Sequence, residues 1–160
     1  MSNTITIGIS DLNTAKAPDI LVTYALGSCV GICLYDPQTS IAGLSHIMLP
    51  SSREVAGAAA NRFKFADTAI TELLARMERQ GGQPRRITAK IAGGAQMFAG
   101  SSGSFNIGER NVAAVKQVLN ALRIPIVAQE TGSNYGRTVF FDAQTGVMEI
   151  RAATRETKRL

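Results

Sequence analysis

Cys29-Val-Gly-Ile-Cys-Leu-Tyr35, then Asp36-Pro-Gln-Thr-Ser40, then Ile41-Ala-Gly-Leu-Ser-His-Ile-Met-Leu49 reads as strand, turn, strand. The flanking runs are apolar, and the break between them carries Asp, Pro and Ser, residues that close turns. Strands joined this closely pair as an antiparallel hairpin, so positions whose numbers sum to about 75 or 76 should face each other. That register sets Cys29 opposite His46 or its neighbour.

Working outward, residues 5–9 and 20–25 alternate as short strands around a polar turn that includes Asn13 and Pro18. Pro50-Ser-Ser-Arg-Glu-Val-Ala-Gly57 interrupts the pattern as a loop. From 62 to 79 the period becomes helical, with Phe63, Ala66, Ile70, Leu73, Leu74 and Met77 on one stripe, and Gly81-Gly82 followed by Pro84 stops the helix. Residues 87–92 predict a strand leading into Gly93-Gly94, and Ser101 to Ser104 a connector. A second amphipathic helix over 110–122 carries Val112, Val115, Val118, Leu119 and Leu122 on its apolar side. Strands follow at 124–129, 138–141 and 147–150, with Thr131 to Gly136 as a loop. Two helices on a largely antiparallel or mixed sheet make an α+β fold, a layered α/β sandwich.

The 160-residue length predicts one domain, 1–160, large enough for a core without metal or disulfide staples. Net charge is +5, and Arg151, Arg155, Lys158 and Arg159 concentrate the excess in a basic tail, 151–160, read as solvated. No basic helix face or zinc-finger spacing accompanies that charge, so it does not predict nucleic-acid binding. Neither a signal peptide nor an apolar run long enough for a bilayer is present, which predicts a cytoplasmic protein without membrane insertion. Two cysteines and one histidine make a poor zinc set, and neither a metal nor an organic cofactor is expected. Cys29 and Cys33 are expected as free thiols, although one disulfide between them is conceivable.

The chemistry-bearing residues are Thr23, Cys29 and His46. A cysteine beside the sole imidazole has the parts for nucleophilic attack on an acyl carbon, with Thr23 available to accept the other ring N–H and fix the tautomer. Gly27 and Ser28 allow a sharp turn whose amides face an oxygen beside the sulfur. Plainer readings stand beside these: Gly-Ser-Cys fits an ordinary strand entrance, Thr23 a β-branched strand position, His46 a structural or exposed histidine, and Cys33 a small buried hydrophobe. Gly93-Gly94 lacks the companions of a phosphate cradle. Glu109 and Arg110 read as a cap or pair, and Arg137 as a solvated surface charge.

Leu26-Gly-Ser-Cys-Val30, Cys33-Leu-Tyr-Asp-Pro37, Gly43-Leu-Ser-His-Ile-Met-Leu-Pro50, Lys90-Ile-Ala-Gly-Gly-Ala-Gln-Met-Phe98, Phe105-Asn-Ile-Gly-Glu-Arg-Asn111 and the 132–137 loop occur in order. Together they resemble the chemoreceptor glutamine deamidase family CheD, over about residues 23 to 145. The resemblance implies a fold related to cysteine deamidating toxins and a catalytic triad of Cys29, His46 and Thr23. It implies hydrolysis of glutamine side chains to glutamate in methyl-accepting chemotaxis receptors, with ammonia released, and in some members receptor methylester hydrolysis. It also implies a possible complex with the phosphatase CheC on the receptor-binding surface; Phe98 and Phe105 are candidates for such a contact or for core packing. The chain departs from the family pattern at Ser45, where Asn is common, and at Ala92, where Phe is. Two other readings compete: a non-catalytic adaptor that binds receptors or CheC, and a redox sensor built on Cys29 and Cys33.

Overall fold

The computed structural model describes residues 2–57, 60–96 and 106–160. Phe98, Phe105 and the 101–104 connector lie outside them. In chain order the strands are β1 (Thr4–Thr6), β2 (Asp11–Lys16), β3 (Ile20–Leu26), β4 (Val30–Asp36) and β5 (Ile41–Ile47). Helix α1 (Ala66–Arg79), β6 (Thr88–Gly93), α2 (Ile107–Ala121), β7 (Ile126–Thr131), β8 (Arg137–Asp142), β9 (Met148–Arg151) and β10 (Lys158–Arg159) follow.

The β4–β5 hairpin forms the middle of a five-stranded sheet in the order β2-β5-β4-β6-β7. A second five-stranded sheet runs β1-β3-β8-β9-β10. Both are mixed, because β1 pairs parallel with β3 and β6 parallel with β7, the latter pair joined through α2. Val30, Ile32, Leu34, Ile41 and Ile47 turn one face of the hairpin to α1 and α2. Cys33, Ala42 and Leu44 turn the other face to Leu21, Val139 and Phe141 of the second sheet. The layers are therefore sheet, sheet and helices, and all seven residues of β5 are buried. A strand covered on both faces loses polar alternation, which is why 41–47 reads as a nearly continuous apolar run.

Helix α1 lies directly on β5, where a Cβ at Gly43 would come within 2.8 Å of Leu73 Cδ1. Its start is later than the periodicity predicts. Asn61 caps a separate 3-10 turn over Arg62–Lys64, and Phe65 is extended before α1 begins. At the other end Gly81, with φ +110°, lets Gly82 N–H return to the Met77 carbonyl at 2.8 Å, a glycine-ended helix stop. Helix α2 buries Gly108, Asn111, Val115 and Leu119.

Two strands escaped the sequence pattern. Residues 11–16, expected as a turn, form β2 at the edge of its sheet, with only Leu12 and Ala15 buried. One packs toward the helices and the other toward the second sheet, so neither period 2 nor a continuous run is visible. The end of the chain is not a free tail. Arg151 closes β9, Lys158–Arg159 pair with it as β10, and Met148 and Leu160 exchange main-chain hydrogen bonds. Its basic groups are engaged: Lys158 with Glu130, Arg151 and Arg159 with Glu149, and Arg155 over the Tyr135 ring. No helix among the described residues is long and apolar enough to cross a membrane.

Candidate active site

His46 lies on β5 and its ring reaches between the sheets to Thr23 on β3, with Nδ1 2.7 Å from Thr23 Oγ1. Both residues are fully buried. The Thr23 hydroxyl proton is already committed, because Oγ1 donates to the Ile7 carbonyl at 2.7 Å. Oγ1 can therefore only accept from His46, which puts the ring proton on Nδ1 and leaves Nε2 with its lone pair. Nε2 is buried and has no hydrogen-bond partner among the described residues. Burial lowers the His46 pKa to about 4, so at neutral pH the imidazole is an uncharged base.

Cys29 follows the end of β3 in a bend over 27–29 that leads into β4. Three anchors hold this bend. The Gly27 carbonyl accepts from Ala95 N–H at 2.8 Å, the Ser28 carbonyl from Asn111 Nδ2 at 2.9 Å, and the Cys29 carbonyl from Gly94 N–H at 2.8 Å. In a trans peptide the N–H points opposite to the C=O of the same unit. Anchoring the carbonyls of 27 and 28 thus aims the Ser28 and Cys29 amides the other way, and the Cys29 N–H lies against its own sulfur. Burial raises the thiol pKa, and that amide offsets part of the rise. Cys29 is half-buried and packs against the inter-sheet cluster.

The hairpin register differs from the expectation. Val30 pairs with Ile47 and Gly31 with His46, a sum of 77, because Asp36 and Ile41 close the turn as a pair around residues 37–40. Continued outward, that ladder sets Cys29 across from Met48 and diagonal to His46, with Gly31 contributing no side chain between them. The structure joins Thr23 to His46; no hydrogen bond links Cys29 Sγ to His46 Nε2.

Gly93 and Gly94 have a different task from the phosphate cradle. With φ of +111° and +69° they let β6 end against the cysteine bend, and a Cβ at Gly93 would collide with the Cys29 carbonyl oxygen. Glu109 sits exposed in the first turn of α2. Asn111 was not singled out by the sequence reading. Its signal was a polar side chain at a buried position of the stripe 108, 111, 115 and 119.

Arg137 is not a solvated charge. It is 1% exposed, pairs with Glu130 across the two sheets, and stacks 4.3 Å from the Tyr135 ring centre. Burial alone would raise the Glu130 pKa, but hydrogen bonds from Arg137 and Tyr135, with the charges of Arg137 and Lys158, outweigh it and hold it at about 2. Cys33 is buried in the inter-sheet core, where burial pushes its thiol well up. Four residues of near-extended chain separate it from Cys29 by about 13 Å, beyond disulfide reach. Both thiols are free, which removes the internal-disulfide form of the redox reading.

A family model described as CheD chemotactic sensory transduction matches residues 48–152. A probable chemoreceptor glutamine deamidase CheD of Caldanaerobacter subterraneus is 49% identical over 152 residues, covering 94% of this chain and 93% of the relative. Similarly named proteins of Syntrophomonas wolfei and Lachnoclostridium phytofermentans are 50% identical over 94% of both chains and 47% identical over 100% of both. The crystal structure of a Neisseria meningitidis protein shares the fold, with a TM-score of 0.52 at 10% identity, over 81% of this chain and 64% of that one. Family model and full-length relatives agree, and the chain belongs to the CheD family.

Proposed function

We propose that this protein hydrolyses glutamine side-chain amides to glutamate in methyl-accepting chemotaxis receptors, through a thioester on Cys29. The observation that carries the reading is the committed Thr23 proton, which leaves His46 Nε2 as a bare, buried base beside an anchored cysteine bend. The full-length CheD relatives supply the substrate class.

In the proposed cycle Cys29 Sγ gives its proton to His46 Nε2 as sulfur attacks the carboxamide carbon. The Ser28 and Cys29 amides face the oxyanion of the tetrahedral intermediate. The imidazolium protonates the leaving nitrogen, which departs as ammonia and leaves the thioester. Water then gives a proton to Nε2, attacks the same carbon, and expels the thiol as the proton returns to sulfur. Thr23 keeps the ring oriented throughout. The Sγ–Nε2 contact that the resting chain lacks is made as an electrophile enters the site and the thiol turns to the ring, since such hydrogen bonds are often long in the free protein and tighten on reaction. A methyl ester would follow the same path with methanol as leaving group.

The protein acts in the cytoplasm, and a CheC partner covering the exposed Ile9 and Met48 beside the site would block access. Purified protein should add about 1 Da per modified glutamine to a receptor fragment and release ammonia, as amide hydrolysis requires. Cys29→Ala should bind the fragment and do neither. Turnover by that variant would reject the mechanism, and binding without turnover by the parent chain would favour an adaptor.

A further inference from the structure

Asn111 joins the two halves of the site through a single side chain. Its Nδ2 donates to the Ser28 carbonyl at 2.9 Å and to the Met48 carbonyl at 2.9 Å. Ser28 immediately precedes Cys29, and Met48 lies two residues beyond His46. Both acceptors are carbonyls, so the amide can face them only with its nitrogen. The side chain is fully buried, and its Oδ1 has no partner among the described residues.

An amide in this place is costly for a purely structural position. The next residues along the same buried stripe, Val115 and Leu119, are apolar, as a helix packed on a sheet requires. A buried amide that leaves its acceptor unspent is kept for the two bonds its donor makes. Helix α2 is brought close enough for those bonds by Gly108, where a Cβ would lie 2.6 Å from the Gly94 oxygen. The turn that carries Gly108 thus rests on the segment that anchors the Gly27 and Cys29 carbonyls, and Asn111 holds the carbonyl between them.

We propose that Asn111 is a positioning residue that fixes the Cys29 bend relative to the His46 strand, so that Sγ meets Nε2 and the Cys29 amide stays aimed at the oxyanion. The inference rests on the roles proposed above for Cys29 and His46. Asn111 touches neither substrate nor reacting atoms.

The test reads the coupling of the two residues without a receptor substrate. Iodoacetamide alkylation of Cys29 is followed by mass spectrometry at neutral pH in the parent chain, His46→Gln, Asn111→Leu and the double variant. Base assistance by His46 predicts that His46→Gln slows alkylation about tenfold in the parent background. In the Asn111→Leu background the same change should matter less than about twofold, while circular dichroism shows a folded chain. If Asn111→Leu does not fold, Asn111→Ser, smaller and polar, reads the same quantity. On receptor fragments the folded Asn111 variant should lose about 100-fold in kcat with KM unchanged, the size of effect a misplacement of about 1 Å produces. Full His46 dependence retained without Asn111 overturns this inference and leaves the catalytic reading standing. No His46 dependence in the parent chain overturns both.

Discussion

At the residue scale, the state of His46 sets what pH does to the proposed reaction. Burial holds its pKa at about 4 and pushes the Cys29 thiol up, so the resting pair is neutral imidazole and neutral thiol. Proton transfer then accompanies attack rather than preceding it. The expected profile of kcat/KM, followed by ammonia release, is flat from about pH 5 to 8, with an acid limb near about 4 and no break at the ordinary histidine value. A limb at about 6.5 would mean that the working ring is hydrated. Cys29 and His46 stood out in the sequence as candidates because the chain has one histidine and two cysteines, whereas Thr23, one of many threonines, takes its place from the hydrogen bond to His46. Asn111 and Arg137 did not stand out, because each draws its meaning from partners distant in sequence. Asn111 reaches Ser28 and Met48, and Arg137 is neutralised inside the fold by Glu130.

At the element scale, the site depends on how closely the first turn of α2 approaches the end of β6. Gly94 lies under Val112, and Gly108 faces the Gly94 and Ala95 oxygens, with no room for a methyl group at either glycine. Gly108→Ala must push the helix away from the backbone it rests on. Overpacking of this kind costs about 1–3 kcal/mol, measurable as a lower denaturant midpoint. Because the same turn carries Asn111, kcat should fall further than the stability loss alone explains in a sample that remains fully folded. An unchanged kcat at reduced stability would show that the helix position does not govern the site. The hairpin and both helices were readable from period and turn chemistry, while the hairpin register was not, because it depends on where the Asp36–Ile41 pair closes the loop. Edge strands β2 and β10 were hidden because their side chains are largely exposed, and pairing with a neighbour rather than pattern makes them strands.

At the scale of the whole molecule, ionisable groups buried in and between the layers tie stability to pH in two successive windows. His46 is the only histidine, with a pKa of about 4 in the fold against an ordinary value of about 6.5 in the unfolded chain. Below about 6.5 the unfolded chain takes up a proton that the folded one refuses, so stability falls with decreasing pH until the folded ring also titrates. The full loss across that window is about 3 kcal/mol. Glu130, which bridges the sheets through Arg137 and Lys158, and Asp36, held against Arg86, act lower. For Asp36 burial alone would raise the pKa, but hydrogen bonds from Arg86, Gln83 and Gln38 bring it to about 2, as Arg137 and Tyr135 do for Glu130. Folded values below unfolded ones mean that both carboxylates contribute stability above about pH 4.5 and lose it as pH falls toward about 2. Urea midpoints taken from pH 7 to 3 should therefore decline in two stages. His46→Gln should remove the decline between about 6.5 and 4.5 and keep the one below it, since its side chain does not titrate. A parent chain equally stable at pH 7 and 5 would contradict a neutral, buried His46 and, with it, the bare Nε2 on which the proposed chemistry turns.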